Sequence, residues 1–258
     1  MKVLFLAKYY PPTEGGIERY SHMLCTSLVK RGIDVEVIAA VGPGEVVGEQ
    51  VFDGVRVHRL AAPLSFSSAP ITLALPRLLR RLRSQFDLLH FNFPYPWTDL
   101  IYLAMRDGQK SLLTYHSDIY RKSDTLGGKV LQLYQPWIHR VLRNMPAIVA
   151  TSPNLVQNSP FLFPNRDRCR VIPMPVDTEL LQQPAQSAVD QVQKQYGKFA
   201  LFVGRIVHYK GLPFLLRAFA RIKAVNLVIV GQGPLEIEYW ALAEELGIAD
   251  RVFFLGQV

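Results

Sequence analysis

The sequence has little cysteine and no long apolar run. Its two cysteines, Cys25 and Cys169, cannot by themselves form a disulfide framework or a metal site. The apolar run near the amino terminus has five residues between Lys2 and Lys8, which is short for the core of a secretory signal. No window approaches the ~18–20 apolar residues that a membrane span needs. The sequence therefore predicts a protein of the reducing cytoplasm.

Acidic residues are too few to balance the charge of the first two thirds of the chain. Residues 1–175 hold 21 Lys and Arg against 13 Asp and Glu, whereas residues 176–258 hold 8 of each, so the whole net charge of +8 belongs to the first part. Such asymmetry indicates an anionic partner, either nucleic acid or a membrane surface. The arginines are not interleaved with stacking aromatics and no nucleic-acid motif occurs, which favours the membrane surface.

The first part, residues 1–175, alternates apolar β-rich runs with helical patterns, which is typical of an α/β fold with a parallel sheet. Gly15 and Gly16 follow the first strand and begin a helix that ends near Gly32. Adjacent glycines let the backbone approach a ligand and leave amides pointing at an anion, although a tight turn would explain them equally. We expect strands at 3–7, 35–39, 55–59, 87–93, 111–115, 147–150 and 169–173.

A strongly basic helix is predicted over residues 77–86, after Pro76. Its apolar face is formed by Leu78, Leu79, Leu82 and Phe86, and the remaining face by Arg77, Arg80, Arg81 and Arg83. A solvated outer face would explain these arginines. The charge asymmetry instead favours contact with anionic lipid headgroups, at ~1 kcal/mol per cation near the surface.

His116 and Asp118 directly follow the strand predicted at 111–115. Residues at the carboxyl ends of parallel strands line the crevice where ligands bind, so both are candidate catalytic residues. The alternative is a turn in which Asp118 caps the next helix.

A second βαβ series begins after a boundary at residues 174–197, which is polar and carries five glutamines from Gln182 to Gln193. Strands are predicted at 199–203, 227–230 and 252–255, with helices at about 212–223 and up to Leu246. The domains are therefore 1–175 and 176–258, both Rossmann-like. Three strands are few for such a sheet, so we expect the second domain to be incomplete.

Two cations follow the first strand of the second domain. Arg205 comes directly after Gly204, and Lys210 directly precedes Gly211 and a helix. A helix amino terminus at the carboxyl end of a buried strand favours anions. Two cations there indicate a ligand with more than one negative charge, such as a diphosphate, although a solvated strand–helix turn fits the same residues.

With these elements in order, the chain resembles the retaining glycosyltransferases of the group-1 type (family 4), which have the GT-B architecture of two Rossmann-like domains. The resemblance covers essentially the whole sequence. It rests on six motifs in the family's order: Pro11–Glu18, Tyr115–Asp118, Ala147–Pro153, Val203–Ile206 with Lys210 and Gly211, Val230–Pro234, and Phe254–Gly256.

The resemblance implies a role for each motif. Arg205 and Lys210 match the pair that holds the donor diphosphate, and Gly15 and Gly16 match the loop whose amides approach the donor phosphates. Gly231 and Gly233 match the turn beside the nucleoside. His116 matches a histidine beside the transferred sugar, where it would hydrogen-bond the sugar or stabilise charge.

The resemblance also implies the reaction, which is hexosyl transfer from a nucleotide sugar with retention of configuration and without a metal or other cofactor. Tyr115–Asp118 followed by Ile119–Lys122 looks most like bacterial mannosyltransferases acting on polyprenyl-diphosphate-linked sugars. This favours GDP-mannose over a UDP-hexose as donor and a lipid-linked or glycan acceptor of cell-envelope polysaccharide assembly. It implies an enzyme that is peripheral at the inner face of the cytoplasmic membrane.

Two departures from the family pattern stand out. Met174-Pro175 replaces the usual Asn-Gly or single Gly, and the family's glutamate pair, spaced eight apart, would follow residue 258. If these residues are the entire product, we expect little or no transferase activity.

Two further interpretations of the sequence stay open. One is a non-catalytic basic module that binds a membrane or a partner. The other is a Rossmann oxidoreductase or epimerase, although the first loop lacks the G-x-G-x-x-G fingerprint. The base and the sugar of the donor, and the acceptor, are also undecided.

Overall fold

The computed structural model describes residues 1–13, 15–42, 44–66, 69–105, 110–119, 125–176, 178 and 184–257. The chain divides into two compact units, Met1–Val176 and Asp177–Val258. Both are α/β units built on parallel strands, which confirms the predicted fold class.

The strands of unit 1 are β1 Lys2–Leu6, β2 Asp34–Ala40, β3 Gly48–Phe52, β4 Val55–Leu60, β5 Leu64–Phe66, β6 Ala69–Ile71, β7 Leu88–Phe93, β8 Ser111–Tyr115, β9 Ala147–Ala150 and β10 Cys169–Val171. Eight of them form one sheet in the order β10-β9-β8-β7-β1-β2-β4-β3. All neighbouring pairs of this sheet are parallel except β3 with β4. A separate two-stranded hairpin is formed by β5 and β6.

Helices cover both faces of this sheet, which is why its central strands are apolar on both sides. The helices are α1 Gly16–Lys30, α2 Leu75–Leu82, α3 Pro96–Met105, α4 Leu126–Asn144 and α5 Pro153–Asn158. In β1, Leu4 and Leu6 join the core beneath α2, α3 and α4, whereas Val3 and Phe5 join the core beneath α1.

The basic segment predicted at 77–86 is divided in the structure. The α-helix α2 ends at Leu82, and a 3-10 turn, Arg83–Gln85, follows it. The predicted apolar face is confirmed, because Leu79, Leu82 and Phe86 are buried. Ser152 caps α5, since its Oγ accepts a hydrogen bond from the backbone N–H of Leu155.

Unit 2 contains three parallel strands in the order β11-β12-β13, namely β11 Phe199–Val203, β12 Asn226–Val230 and β13 Val252–Phe254. The helices α7 Leu212–Phe219 and α8 Glu236–Glu245 pack on one face. On the opposite face, Leu201 and Val203 are exposed.

A helix that the sequence reading did not predict precedes β11. This helix, α6 Gln186–Tyr196, lies in the polar stretch expected to be a linker. Its last residue, Tyr196, is buried and packs edge-on against Phe199 and Phe253. The packing of Tyr196 therefore attaches α6 to the sheet, although the rest of the helix has few apolar residues at helical spacing.

None of the described helices is long and apolar enough to cross a bilayer. Both Cys25 and Cys169 are buried free thiols.

Candidate functional site

The predicted ligand-binding residues of unit 1 lie at the carboxyl edge of its sheet. Strands β1, β7 and β8 are parallel neighbours, so the loops that follow them emerge side by side. Gly15 and Gly16 end the loop after β1, and His116 begins the loop after β8. The rings of Tyr20 on α1 and His116 lie edge to face with centroids 4.8 Å apart, which joins these two loops.

The start of α1 is open at Gly16. A Cβ at this position would meet no described heavy atom within 4 Å, apart from its chain neighbours and the backbone of its own helix. Gly15 is the N-cap with an extended φ of 167°, and it offers no side chain to cap the first turn. The amides at the start of α1 are therefore accessible to an anion.

Glu18 lies over this helix start. Its Oε2 would be 2.0 Å from a Cβ built on Gly15, so the carboxylate folds back across the N-cap. Burial raises the pKa of the Glu18 carboxyl, against the opposing effects of its own backbone N–H and of Lys8. An anionic ligand at Gly15 and Gly16 would meet this carboxylate. No role for Glu18 is predicted from the sequence, although an acidic residue three positions after an N-cap is a known signal of a helix start.

His116 is held as a neutral imidazole. Its Nε2 is 2.9 Å from Oδ1 of Asn92, whose amide nitrogen donates to the carbonyl of Leu6 at 3.1 Å. Since Asn92 Oδ1 can only accept, Nε2 carries the proton. Burial lowers the pKa of His116 to about 4. Its Nδ1 is buried without a hydrogen-bond partner among the described residues, so a lone pair there can accept a hydrogen bond from a ligand.

A buried polar cluster supports His116 from below. Thr114 Oγ1 lies 2.7 Å from Nε2 of His90 and 3.3 Å from the hydroxyl of Tyr20. Burial and, to a smaller extent, the neighbouring His116 together lower the pKa of His90 to about 3. Both imidazoles are therefore uncharged near neutral pH, which makes His116 a hydrogen-bonding group rather than a cation or a general acid.

Asp118 lies close in sequence to His116 but is engaged elsewhere. Its Oδ1 accepts hydrogen bonds from the hydroxyls of Tyr115 and Ser159, each at 2.6 Å. The predicted alternative, a helix cap, does not apply, because Thr125 caps α4. This geometry fits a residue that anchors the loop carrying His116 better than one that contacts substrate. Residues Tyr120, Arg121 and Lys122, which the resemblance also used, lie outside the described residues.

A buried ion pair shapes the loop that leads to Gly15. Arg59 is 1% exposed, and its Nη1 and Nη2 donate to the carbonyls of Tyr10, at 2.8 Å, and Pro11. Glu45 lies 2.8 Å from Nη1 and accepts a hydrogen bond from Thr13 through its other oxygen. We call Thr13, Glu45 and Arg59 the loop brace. No sequence motif predicted it, since Arg59 reads as one residue of an alternating strand.

The predicted diphosphate clamp of unit 2 is solvent-facing. Arg205 follows β11, and Lys210 ends a 3-10 turn directly before α7. Both side chains are exposed, and neither has an ion pair or hydrogen bond from its side chain to a described residue. Lys210 Cε lies 4.0 Å from a Cβ built on Gly204, so the lysine side chain folds back toward the end of β11. Both cations are thus available to a polyanion.

The two glycines predicted beside the nucleoside have a packing role inside unit 2. A Cβ at Gly231 would lie 2.1 Å from the carbonyl oxygen of Gly204, and one at Gly233 would lie 2.1 Å from that of Ile206. Ile206 N–H also donates to the carbonyl of Gln232 at 3.0 Å. The loops after β11 and β12 therefore pack backbone against backbone, which no side chain would permit.

The predicted membrane-facing arginines are partly exposed as expected. Arg77, Arg80 and Arg81 are exposed on α2, and Arg83 is half-buried in the following turn. Arg80 and Arg83 line a groove of about 340 Å³ between α2 and α3, whose other walls include Trp97 and Leu100.

Comparisons with known proteins agree with this arrangement. Residues 14–180 match the family model of Glycosyltransferase Family 4, and residues 186–258 match that of the Glycosyl transferases group 1. The chain is 33% identical over 254 residues to O-antigen chain mannosyltransferase C of Escherichia coli, covering 98% of this chain and 67% of that protein. It is 36% identical over 261 residues to D-rhamnosyltransferase WbpZ of Pseudomonas aeruginosa, covering 100% and 66%.

A solved structure shares the fold. HepE of Anabaena in complex with UDP-glucose superposes with a TM-score of 0.71 at 18% identity, covering all of this chain and 69% of that one. The chain therefore belongs to the family 4, group-1 glycosyltransferases and has their GT-B fold. It spans about two thirds of the length of the curated relatives described above.

Proposed function

We propose that the protein transfers a hexose, with mannose favoured, from a nucleotide diphosphate sugar to a lipid-linked or glycan acceptor with retention of configuration. The observation that carries the proposal is the pair Arg205 and Lys210, two exposed cations at the carboxyl edge of β11 without a described acidic partner. The names of the mannosyltransferase and rhamnosyltransferase relatives support a hexosyl donor, and GDP-mannose remains our first choice over a UDP-hexose.

Each residue has a proposed role in this reaction. Arg205 and Lys210 bind the donor diphosphate and stabilise the leaving group, whose negative charge grows as the glycosidic bond breaks. The start of α1 at Gly15 and Gly16 contributes backbone amides to the phosphates. No metal or other cofactor takes part in the proposal. Gly231 and Gly233 keep two neighbouring loops in register, so that the turn of which they are part can lie beside the nucleoside.

His116 is proposed to contact the transferred sugar. Because its imidazole is neutral and Nε2 is committed to Asn92, Nδ1 would accept a hydrogen bond from a sugar hydroxyl. Asp118 is proposed as a positioning residue, which holds the loop through Tyr115 and Ser159. The acceptor-side domain is then unit 1 and the donor-side domain unit 2, and the enzyme acts while attached peripherally to the inner face of the cytoplasmic membrane.

Donor binding tests the proposal. Calorimetric titration of the protein with GDP-mannose and UDP-glucose should give saturable binding, tighter for GDP-mannose. Arg205→Ala should weaken it by ~10–100-fold, because a hydrogen bond to a charged group is lost. The matched control is Arg221→Ala, an exposed arginine of the same unit just after α7, which should leave affinity unchanged. Equal losses in the two variants would contradict the assigned clamp.

A non-catalytic basic module is the second reading, and the positive charge of unit 1 favours it. Binding to anionic vesicles without any nucleotide-sugar binding would support that module against the transferase.

A further inference from the structure

Helix α4 exposes two large apolar side chains on the side that faces away from the sheet. Leu133 is 76% exposed and Trp137 is 48% exposed, whereas the opposite side of the helix is buried in the core. At 100° per residue, these two side chains lie on the same face as three exposed cations. We call this surface the α4 outer face, and it consists of Lys129, Leu133, Trp137, Arg140 and Arg143.

The three helices that cover this side of the sheet expose cations but, among their described residues, no carboxylate. Helices α2, α3 and α4 cover the same face of the sheet, because all three contribute to one core. Along these three described helices the one carboxylate is Asp99, which is 1% exposed. Exposed cations are contributed by α2 as well, at Arg77, Arg80 and Arg81. The layer thus combines apolar side chains and cations with no solvent-facing acid.

Helix α8 provides an internal comparison. It also exposes a tryptophan and an aliphatic residue, with Trp240 at 50% and Ile237 at 85%. Its charged residues, however, are all acidic: Glu236, Glu238, Glu244 and Glu245. Both helices therefore expose apolar side chains, but those of α4 lie among cations whereas those of α8 lie among carboxylates.

We propose that the α4 outer face is a membrane-docking surface. Leu133 and Trp137 insert into the interfacial region of an anionic bilayer, and Lys129, Arg140 and Arg143 contact the lipid phosphates. Tryptophan favours the level of the headgroups, where its ring is partly apolar and its N–H can hydrogen-bond. Cations beside an inserted apolar pair add electrostatic attraction to anionic lipids.

The charge pattern favours a membrane over a second copy of the chain. A two-fold interface through this face would bring identical patches together, so cations would meet cations without acids to pair with them. A sheet of anionic headgroups supplies the missing charge over the whole layer. The inference deepens the proposed peripheral attachment, and it is independent of the transfer reaction because vesicle binding and donor binding are separate measurements.

Vesicle partitioning tests the docking surface. The full chain is sedimented with vesicles of phosphatidylglycerol and phosphatidylcholine, alongside the double variants Leu133→Ser/Trp137→Ser and Ile237→Ser/Trp240→Ser. Loss of the α4 pair should lower the partition coefficient ~10-fold or more, because the inserted apolar area is removed. The α8 variant should stay within ~2-fold of the unchanged protein, since its acidic helix is not attracted to the surface.

A second readout locates the inserted tryptophan. Brominated lipids should quench the fluorescence of the unchanged protein and of Trp240→Phe, whereas Trp137→Phe should lose most of the quenching.

The proposal is overturned if the unchanged protein does not bind anionic vesicles, or if both double variants lose vesicle binding equally. It is also overturned if the α4 variant keeps vesicle binding but loses self-association, which would identify a second copy as the occupant. Urea-unfolding midpoints equal to that of the unchanged protein would show that the variants are folded.

Discussion

Two pairs of glycines follow strands in this molecule, and they are glycine for different physical reasons. In unit 2, Gly231 and Gly233 each lie where a Cβ would be 2.1 Å from a backbone oxygen of the neighbouring loop. In unit 1, a Cβ on Gly16 would enter open space, and one on Gly15 would meet only the mobile end of Glu18. Packing explains the first pair completely, whereas the second leaves room for a ligand.

The two units also hold their edge loops by different means. In unit 2 the loops after β11 and β12 support each other through direct backbone contact, which needs no side chain. In unit 1 the loop after β1 has a backbone contact at its start, where Ala40 N–H donates to the carbonyl of Lys8 at 3.1 Å. Its later residues are held by side chains, through the brace of Thr13, Glu45 and Arg59. Substitutions should therefore disturb unit 2 at its glycines and unit 1 at the side chains of the loop brace.

The largest expected effect follows from removing the loop brace. Arg59→Met should destabilise unit 1 by ~3–5 kcal/mol, because Glu45 is left as an unpaired buried charge. The change is measured by urea unfolding, followed by the fluorescence of Trp97 and Trp137. The double variant Arg59→Met/Glu45→Gln should recover part of the loss, since no charge is then buried. A double variant as unstable as the single one would contradict the ion pair as the cause.

The next effect concerns the glycines of unit 2. Gly233→Ala should destabilise unit 2 by ~1–3 kcal/mol or more, because the added methyl overlaps the backbone of Ile206. Trp240 is the sole tryptophan of this unit and reports its unfolding. A stability unchanged by this substitution would show that the loops are not packed as described.

Gly16→Ala should behave in the opposite way. Stability should change by less than ~1 kcal/mol, and in the stabilising direction, because alanine suits a helix better than glycine does. Affinity for GDP-mannose should nevertheless fall, since the methyl occupies the space that a phosphate would enter. Calorimetry beside urea unfolding gives both quantities. Wild-type affinity in this variant would remove Gly16 from the donor site.

The smallest effect concerns the pH dependence at Glu18. The pKa of Glu18 is raised in the folded protein, so its favourable contribution is complete below the unfolded pKa and is lost as pH rises through the folded pKa. The ionised carboxylate also opposes phosphate at the start of α1. Glu18→Gln should therefore flatten the pH dependence of stability and tighten GDP-mannose binding ~2–5-fold at pH 8. Identical pH profiles for the two proteins would exclude this role.

Much of the architecture could be predicted from local patterns, for reasons visible in particular elements. Strand β8 was predicted at its observed bounds, since an apolar β-rich run between polar residues has few alternatives. Helix α6 was missed because one aromatic anchor, Tyr196, holds an otherwise polar segment. The predicted site residues were found from motif order, and their assignment to substrate stays a prediction.

Contacts between distant residues were not predictable in the same way. Arg59 lies 49 residues from Tyr10 in sequence, and only the pairing of β2 with β4 brings its guanidinium to the loop after β1. The tautomer of His116 likewise depends on Asn92, which reaches its Nε2 from the adjacent strand.

The sequence by itself determined the α/β class, the family and the unequal charge of the two parts, because each depends on local periodicity, motif order or composition. Tertiary structure decided which glycines are open to a ligand, that Asp118 anchors a loop, and that cations and exposed apolar side chains share the outer face of α4. These properties depend on which residues pack together in space, and residues that are neighbours in space are often far apart in the sequence.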